Sequence, residues 1–345
     1  MIHLEFSSGD LNADRRAHYA RLYAESGDFA AAADVQAQAL ELAPEWAAGF
    51  YELGNYLEKA GLLADAAKAW RNALELAPAD VFGAGLKLSL TGQAEAPPAP
   101  PSEYVEALFD EYADRFDKAL VENLEYRVPE LLSELLSEIS GGAPKYARVI
   151  DLGCGTGLFG ERVRHVSSWL EGFDLSQGML TVAAGKGVYD QLEQADIGIG
   201  LETGPLAPTG QADLVAAADV FAYFGDLSKV IDVAAGLLCP GGLLAFTCEA
   251  GPDEVDWLLQ PSLRYCHGAQ YLRTLVETAG LSIERFERET IRRDKGEPIH
   301  GYLVIAAKQA AASENLAAVT SRVAPVDAPS ELSDLADETA AVRLN

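Results

Sequence analysis

Basic residues are scarce in this chain. It carries 26 Lys and Arg against 53 Asp and Glu, a net charge of −27 over 345 residues. A field of that sign repels polyanions, so nucleic acid is excluded as the expected substrate. The one basic cluster, Arg285, Arg288, Arg292, Arg293 and Lys295, alternates with Glu284, Glu287, Glu289 and Glu297 and reads as a solvated strand or hairpin face. Cysteine is also sparse. Cys154, Cys239, Cys248 and Cys266 form no C-x-x-C pair and no zinc-finger spacing, which argues against a disulfide framework or a bound metal. No apolar run reaches the roughly 18 residues of a membrane span. The opening "MIHLEFSSGDLNADRR" has no basic segment followed by an apolar one, so the expectation is a cytoplasmic protein without membrane contact. What is present is a 49% hydrophobic fraction and enough length for two domains.

Leu40-Glu41-Leu42-Ala43-Pro44 returns 34 residues later as Leu74-Glu75-Leu76-Ala77-Pro78, and Gly27/Gly61, Ala32/Ala66 and Ala39/Ala73 keep the same offset. Period and punctuation are those of the tetratricopeptide repeat, with small residues where paired helices approach closely. The first unit is the weaker, because Gln36 stands where a large aromatic is usual. Two units normally leave an open apolar face. A further helix near residues 81–90, the downstream domain or a second subunit must cover it. Residues 1–90 are therefore read as a helical repeat domain, and 91–102, "TGQAEAPPAPPS", as an extended, semi-rigid linker. Residues 309–345 read as a disordered tail.

Between linker and tail, strand patterns alternate with helix patterns. Strands are predicted at 148–152, 170–175, 191–197, 213–218, 243–249, 282–290 and 301–307, with helices at 157–166, 177–184, 227–238 and 269–279. Such a succession implies a mostly parallel sheet covered on both faces, with ligands at the carboxyl edge. The first strand runs into "VIDLGCGTGLFG". From Gly155 this is G-x-G-x-x-G, a dinucleotide fingerprint; from Asp151 it is D-L-G-x-G-x-G. Either ligand needs glycine for a sharp turn and a close approach, and Asp174 beyond the second strand can accept ribose hydroxyls in both cases.

The D-L-G-x-G-x-G turn resembles motif I of class I S-adenosylmethionine (SAM) methyltransferases, and "DLSQGML" from Asp174 resembles that family's second segment. "QADI" at 194–197, the fourth strand with its exit Asp219-Val220-Phe221-Ala222-Tyr223, and the Pro240-Gly241-Gly242 turn follow in the family's order. So do two closing strands with no helix between them. Segments 108–118, 124–129 and 261–272 are similar to bacterial methyltransferases that carry tetratricopeptide repeats. The resemblance implies an α/β fold, the class I Rossmann-like sheet of seven strands whose last pair is an antiparallel hairpin, preceded by the all-α repeat domain. The methyltransferase domain then spans 103–308, with leading helices at 103–140 and the core at 146–308. It implies SAM as cofactor, S-adenosylhomocysteine (SAH) as product and no metal.

By that resemblance Asp151, Gly153, Cys154, Gly155, Thr156 and Gly157 cradle the methionine end of SAM, Asp174 with Leu175 and Met179 holds the ribose, and Asp196 with Ile197 meets the adenine. Asp219 lines the same site. Tyr112 shields the sulfonium, and Arg127 pairs with the ligand carboxylate. Gly160 is read as coincidence or helix packing. His267 is the first candidate for a general base, because histidine titrates near neutrality, with Tyr223 and Glu249 as further catalytic candidates. Tyr223, Arg264, His267 and Tyr271 are expected in the substrate pocket. No Asp/Asn-Pro-Pro-aromatic motif follows the fourth strand and no Pro-Cys nucleophile is present there, which disfavours adenine, glutamine and cytosine-carbon targets. A small-molecule oxygen, carbon or nitrogen acceptor leads. A protein substrate gripped by the repeats, a silent SAM-binding adaptor and a nicotinamide enzyme are the alternatives, and the repeats are also a route to a homodimer.

Overall fold

The computed structural model describes residues 7–118, 125–199, 206–294 and 296–310, and its described residues up to Ala310 cluster as one compact unit. Residues 311–345, most of the expected tail, lie outside the described residues. The described residues open with five helices: α1 (Leu11–Glu25), α2 (Phe29–Leu40), α3 (Ala47–Lys59), α4 (Leu63–Leu76) and α5 (Ala84–Leu90). Asp10 and Asp28 cap the first two by accepting backbone N–H groups of the opening turn. The 34-residue repetition has a local cause. Gly27 and Gly61 sit between paired helices at φ +85° and +80°, backbone that favours glycine. Ala32, Ala39, Ala66 and Ala73 are buried where the helices meet. At Gln36, the departure from the repeat, the buried amide donates to the Gly49 carbonyl at 3.0 Å.

Trp70 is the largest fully buried side chain and packs with Ala66, Ala73, Ala84 and Leu88, so α5 covers α4. Leu86 of α5 continues into a cluster with Tyr104, Leu259 and Tyr265, which joins the helical repeats to the rest of the unit. The Pro/Ala-rich segment is no free spacer. The Pro98 carbonyl accepts the N–H groups of Gly225 and Asp226 at 2.8 and 2.9 Å, and the Pro97 carbonyl accepts the Tyr265 hydroxyl at 2.8 Å. Turns and bends interrupt it at residues 91–94 and 98–99, and its carbonyls strap it down.

Then follow α6 (Ser102–Tyr112), α7 (Phe116–Lys118), α8 (Val128–Ile139), β1 (Tyr146–Leu152), α9 (Leu158–Val163), β2 (Ser167–Asp174), α10 (Gln177–Lys186), β3 (Gln191–Gln194), β4 (Ala212–Ala217), α11 (Ser228–Leu237), β5 (Leu238–Ala250), β6 (Trp257–Leu259), β7 (Tyr265–His267), α12 (Ala269–Thr278), β8 (Leu281–Asp294) and β9 (Glu297–Lys308). The sheet runs β3-β2-β1-β4-β5-β7-β6, and β9 pairs with both β5 and β8. β1 to β5 are parallel to their neighbours, while β9 enters antiparallel against β5 and forms the closing hairpin with β8. The fold is thus Rossmann-like with a mixed sheet. Its central strands are apolar on both faces, as strands covered on two sides must be. Ile150, Val215, Leu244 and Phe246 face one cluster with α11 and α12, and Val149, Leu170, Leu214 and Ala245 face the other with α8 and α9.

Two expectations are corrected. Among the described residues the sheet has nine strands, because the segment 257–267 supplies the short hairpin β6–β7 that the sequence reading lacks. The third strand ends at Gln194, so Asp196 and Ile197 belong to the loop beyond it. Among the described residues, no helix is long and apolar enough to cross a membrane.

At Gly54 any Cβ would overlap the Trp70 indole. Alanine gains up to about 1 kcal/mol of helix propensity, but overpacking a rigid buried aromatic costs about 1–3 kcal/mol. Gly54→Ala should therefore lower the urea midpoint; a raised midpoint would contradict this packing.

Candidate functional site

The loop from β1 to α9 sets the site. Gly153, Gly155 and Gly157 hold φ of +63°, +53° and +91°, where a Cβ is strained. Their surroundings differ. A side chain on Gly153 would collide with Val220, and one on Gly157 would press on Tyr189, whereas a Cβ on Gly155 would meet only Phe116, at 3.9 Å. Gly155 thus leaves its backbone open to a cavity of about 230 Å³ at the carboxyl edge of β1 to β4.

Asp151 borders this cavity from the end of β1. Its Oδ2 accepts the Tyr189 hydroxyl at 2.7 Å. Its Oδ1 is buried without a hydrogen-bond partner. Burial, only partly offset by Tyr189, pushes the carboxyl up to about 7. Gly160 matters to the same group, since any Cβ there would overlap the Tyr189 ring; its glycine is helix packing. Asp174 ends β2 and accepts Gly155 N–H and Ser176 N–H, each at 2.8 Å. Burial raises it to about 6 against these backbone bonds.

Two locks fix the wall formed by α6 and its continuation. Asp110 accepts the Ser176 hydroxyl at 2.5 Å and Gly178 N–H at 2.9 Å at the start of α10. Asp117 accepts the Thr156 hydroxyl and pairs with Lys186 at 2.8 Å. Ser102 donates to Asp196, whose other oxygen accepts Gly198 N–H at 2.7 Å.

The structure brings together Asp151, Gly153, Cys154, Gly155, Thr156, Asp174, Leu175, Asp196, Ile197, Asp219, Tyr223 and Arg264 around one cavity. Gly157 and Met179 stand behind it: Gly157 is the left-handed residue before α9, and Met179 is fully buried on α10. Tyr112 lies against Phe116 at 5.9 Å between ring centroids and does not border the cavity; Phe116 and Phe109 do. Arg127 is exposed before α8, where its backbone N–H donates to Ile291, so the expected pairing with a ligand carboxylate is corrected.

The catalytic candidates need more correction. His267 is fully buried outside the cavity lining. Its Nε2 lies 2.9 and 3.1 Å from the carbonyls of Phe224 and Gly225. Two acceptors fix the proton on Nε2, leaving the lone pair on a buried Nδ1 without a partner. Burial lowers the ring to about 4 despite those carbonyls. It is a neutral strut for the turn after β4 and has no geometry for a general base. Tyr271 stacks on it at 6.1 Å, and its hydroxyl accepts Leu227 N–H at 2.9 Å. Glu249 is held by Arg292 and accepts from Gln260 at 2.7 Å, behind the cavity. Arg292, read as part of a solvated face, is only 5% exposed, and its Nη1 donates to both oxygens of Asp219 at 2.9 Å.

The sequence reading missed Tyr189, Tyr126, Phe109, Phe224 and the strap residues Ala99 and Pro100; all but Tyr189 line the cavity. Phe109 meets the Tyr223 ring edge-on at 5.1 Å. None of them sits in a spacing that marks a site.

Residues 122–285 match the family model described as a methyltransferase domain. The chain is 25% identical over 158 residues to a ubiquinone biosynthesis O-methyltransferase of Bordetella avium (strain 197N), which covers 46% of this chain and 61% of that protein. It is 36% identical over 118 residues to a malonyl-(acyl-carrier protein) O-methyltransferase of Enterobacter lignolyticus (strain SCF1), 34% of this chain and 45% of that one. The chain thus spans about half the length of these curated relatives. A SAM-dependent methyltransferase from Methanosarcina mazei superimposes with a TM-score of 0.42 at 15% identity, covering 50% of this chain and 98% of that one.

The raised carboxyls set a sign for pH. Both bind a proton in the folded state at pH values where the unfolded chain has lost it, so the contribution of these two groups to stability without ligand is greatest below about 4 and is lost as pH rises through about 6 and 7. A cationic or hydroxyl-bearing ligand needs the ionised forms. SAH affinity, measured by calorimetry, should rise with pH up to about 7 and level off above it. Asp151→Asn should weaken binding at pH 8 by about 10–100-fold, the size of one charge-assisted hydrogen bond. A flat profile in the wild type would refute this assignment.

Proposed function

We propose, taking residues 122–285 as a SAM-dependent methyltransferase domain, that this chain transfers a methyl group from SAM to a small-molecule acceptor. The observation that carries the reading is the unpartnered Asp151 Oδ1, buried beside a glycine turn whose backbone is open to the cavity. A buried acceptor atom without a donor is costly, and the ammonium group of SAM supplies that donor. Asp174 keeps lone pairs for the ribose hydroxyls, and Asp196 with Ile197 borders the adenine end.

Bound SAM offers an electrophilic methyl on a sulfonium. The chain's part is to hold an acceptor in line with it and exclude water, which is worth up to about 7–11 kcal/mol in well-oriented cases. Phe109, Tyr126 and Tyr223 give the cavity aromatic walls, and the Phe224 ring packs by Gly198 next to Asp196. Among the described residues no histidine lines the cavity; of the catalytic candidates Tyr223 does.

One observation favours a second reading, a protein substrate. The helices read as tetratricopeptide repeats share a groove with Pro261, Ser262 and Leu263, lined by Tyr51, Asn55 and Phe82. Asn55 Oδ1 is buried there without a partner and would suit a peptide N–H. Incubation with methyl-labelled SAM, a small-molecule acceptor panel and lysate proteins separates the readings. Label should leave with small molecules and vanish in Asp151→Asn. Label confined to protein would replace the first reading with the second.

A further inference from the structure

The far end of the cavity holds an arginine whose charge is surrounded but whose donors are mostly unused. Asp219, Glu249, Arg264 and Arg292 form a four-membered ionic cluster between β4, β5, the β6–β7 turn and β8. Within it the carboxylates are already satisfied. Arg292 donates to both oxygens of Asp219 at 2.9 Å and also to Glu249, and Glu249 takes a further bond from Gln260 at 2.7 Å. Asp219 and Glu249 lie 4.0 and 3.6 Å from the Arg264 guanidinium, beyond the roughly 2.7–2.9 Å of a charge-assisted hydrogen bond. The Arg264 guanidinium lies 5.3 Å from the centre of the Tyr223 ring. A guanidinium carries five N–H donors in a rigid fork. Arg264 borders the cavity with a side chain that is 25% exposed.

Place in the sheet separates this group from the cofactor's anchors. Asp151 and Asp174 stand at the ends of β1 and β2 and Asp196 in the loop after β3, whereas Arg264 is held over β4 and β5, on the other side of β1. At about 5 Å per strand, that displacement is on the order of 5–10 Å. Tyr223 stands beside it, Phe109 packs edge-on against the Tyr223 ring, and Tyr126 lines the same cavity.

We propose that Arg264 is the receptor for a carboxylate on the methyl acceptor, so that the acceptor is an organic acid with an apolar body. This rests on the methyltransferase reading and narrows its substrate class. A carboxylate matches the fork two bonds at a time, and the aromatic walls take the apolar part. Arg292 is the positioning residue: by saturating Asp219 and Glu249 it keeps them from closing on Arg264. The same fork could instead grip the carboxylate of SAM, and the two sources are separable.

The test titrates the SAH-saturated protein with benzoate, phenylacetate, cinnamate and hexanoate and with the amide of each, by calorimetry, in the wild type, Arg264→Gln and Arg264→Lys. The acids should bind at least about tenfold tighter than their amides in the wild type, with part of that preference kept by Lys and none by Gln, while SAH affinity stays unchanged. This wild-type comparison needs no variant, so a poorly folded substitution does not decide the matter. Equal binding of acids and amides in the wild type, or an unchanged preference in Arg264→Gln, overturns the proposal. A tenfold loss of SAH affinity in a folded Arg264→Gln also overturns it, assigning the fork to the cofactor. A wild type that binds no SAH refutes the methyltransferase reading itself.

Discussion

The Asp151 carboxylate sits near the end of a parallel strand buried from Val149 onward, in the lining of the cavity, with one oxygen tied to Tyr189 and the other buried without a partner. Much of the site follows from keeping it there. Tyr189 can reach it only because Gly160 has no side chain, and the chain can leave β1 beneath it only through three glycines in left-handed backbone. The ligand-free protein therefore retains an unpaired acceptor that a cation can relieve. That is a form of preorganisation: desolvation is borne in folding, and the site need not rearrange when ligand arrives.

On the opposite flank the constraint is a cluster of buried charges. Two carboxylates and two guanidiniums are tolerable there because they balance and because Arg292 places its hydrogen bonds well. Such a cluster is weak evidence for stability, since hydrophobic replacements often do as well. Its effect on the site is clearer. It fixes the exit of β4, where Asp219 holds φ of +60° and donates its N–H to Thr247, and it leaves Arg264 at the cavity wall. The strap over residues 97–98 closes the same side by bonding to the turn that His267 props from beneath.

What the sequence disclosed, and what it hid, follows from locality. The turn from Asp151 to Gly157 was legible because backbone geometry there admits few residue types, and Asp174 because it follows at a fixed distance on the next strand. The closing hairpin was legible from two alternating strands with no helix between them. His267 was misread because a titratable ring advertises chemistry, while the two carbonyls and the burial that silence it come from segments distant in sequence. Arg292 was misread for a different reason. Alternation places it outward, but the pairing of β8 with β9 shifts register between Thr290 and Arg292, so Ile291 and Arg292 are both buried. The hairpin β6–β7 has strands of three residues, too short for any period to show.

The identity of the ligand in the cavity lined by Asp151 and Gly155 decides the chemistry of the site. Thermal unfolding with SAH and with NADH, side by side, tests it most directly. SAH at about 100 times its Kd adds roughly 2.7 kcal/mol to the folded state and should raise the midpoint, with NADH leaving it unmoved. A midpoint raised by NADH alone would contradict the account and make the glycine turn a dinucleotide site.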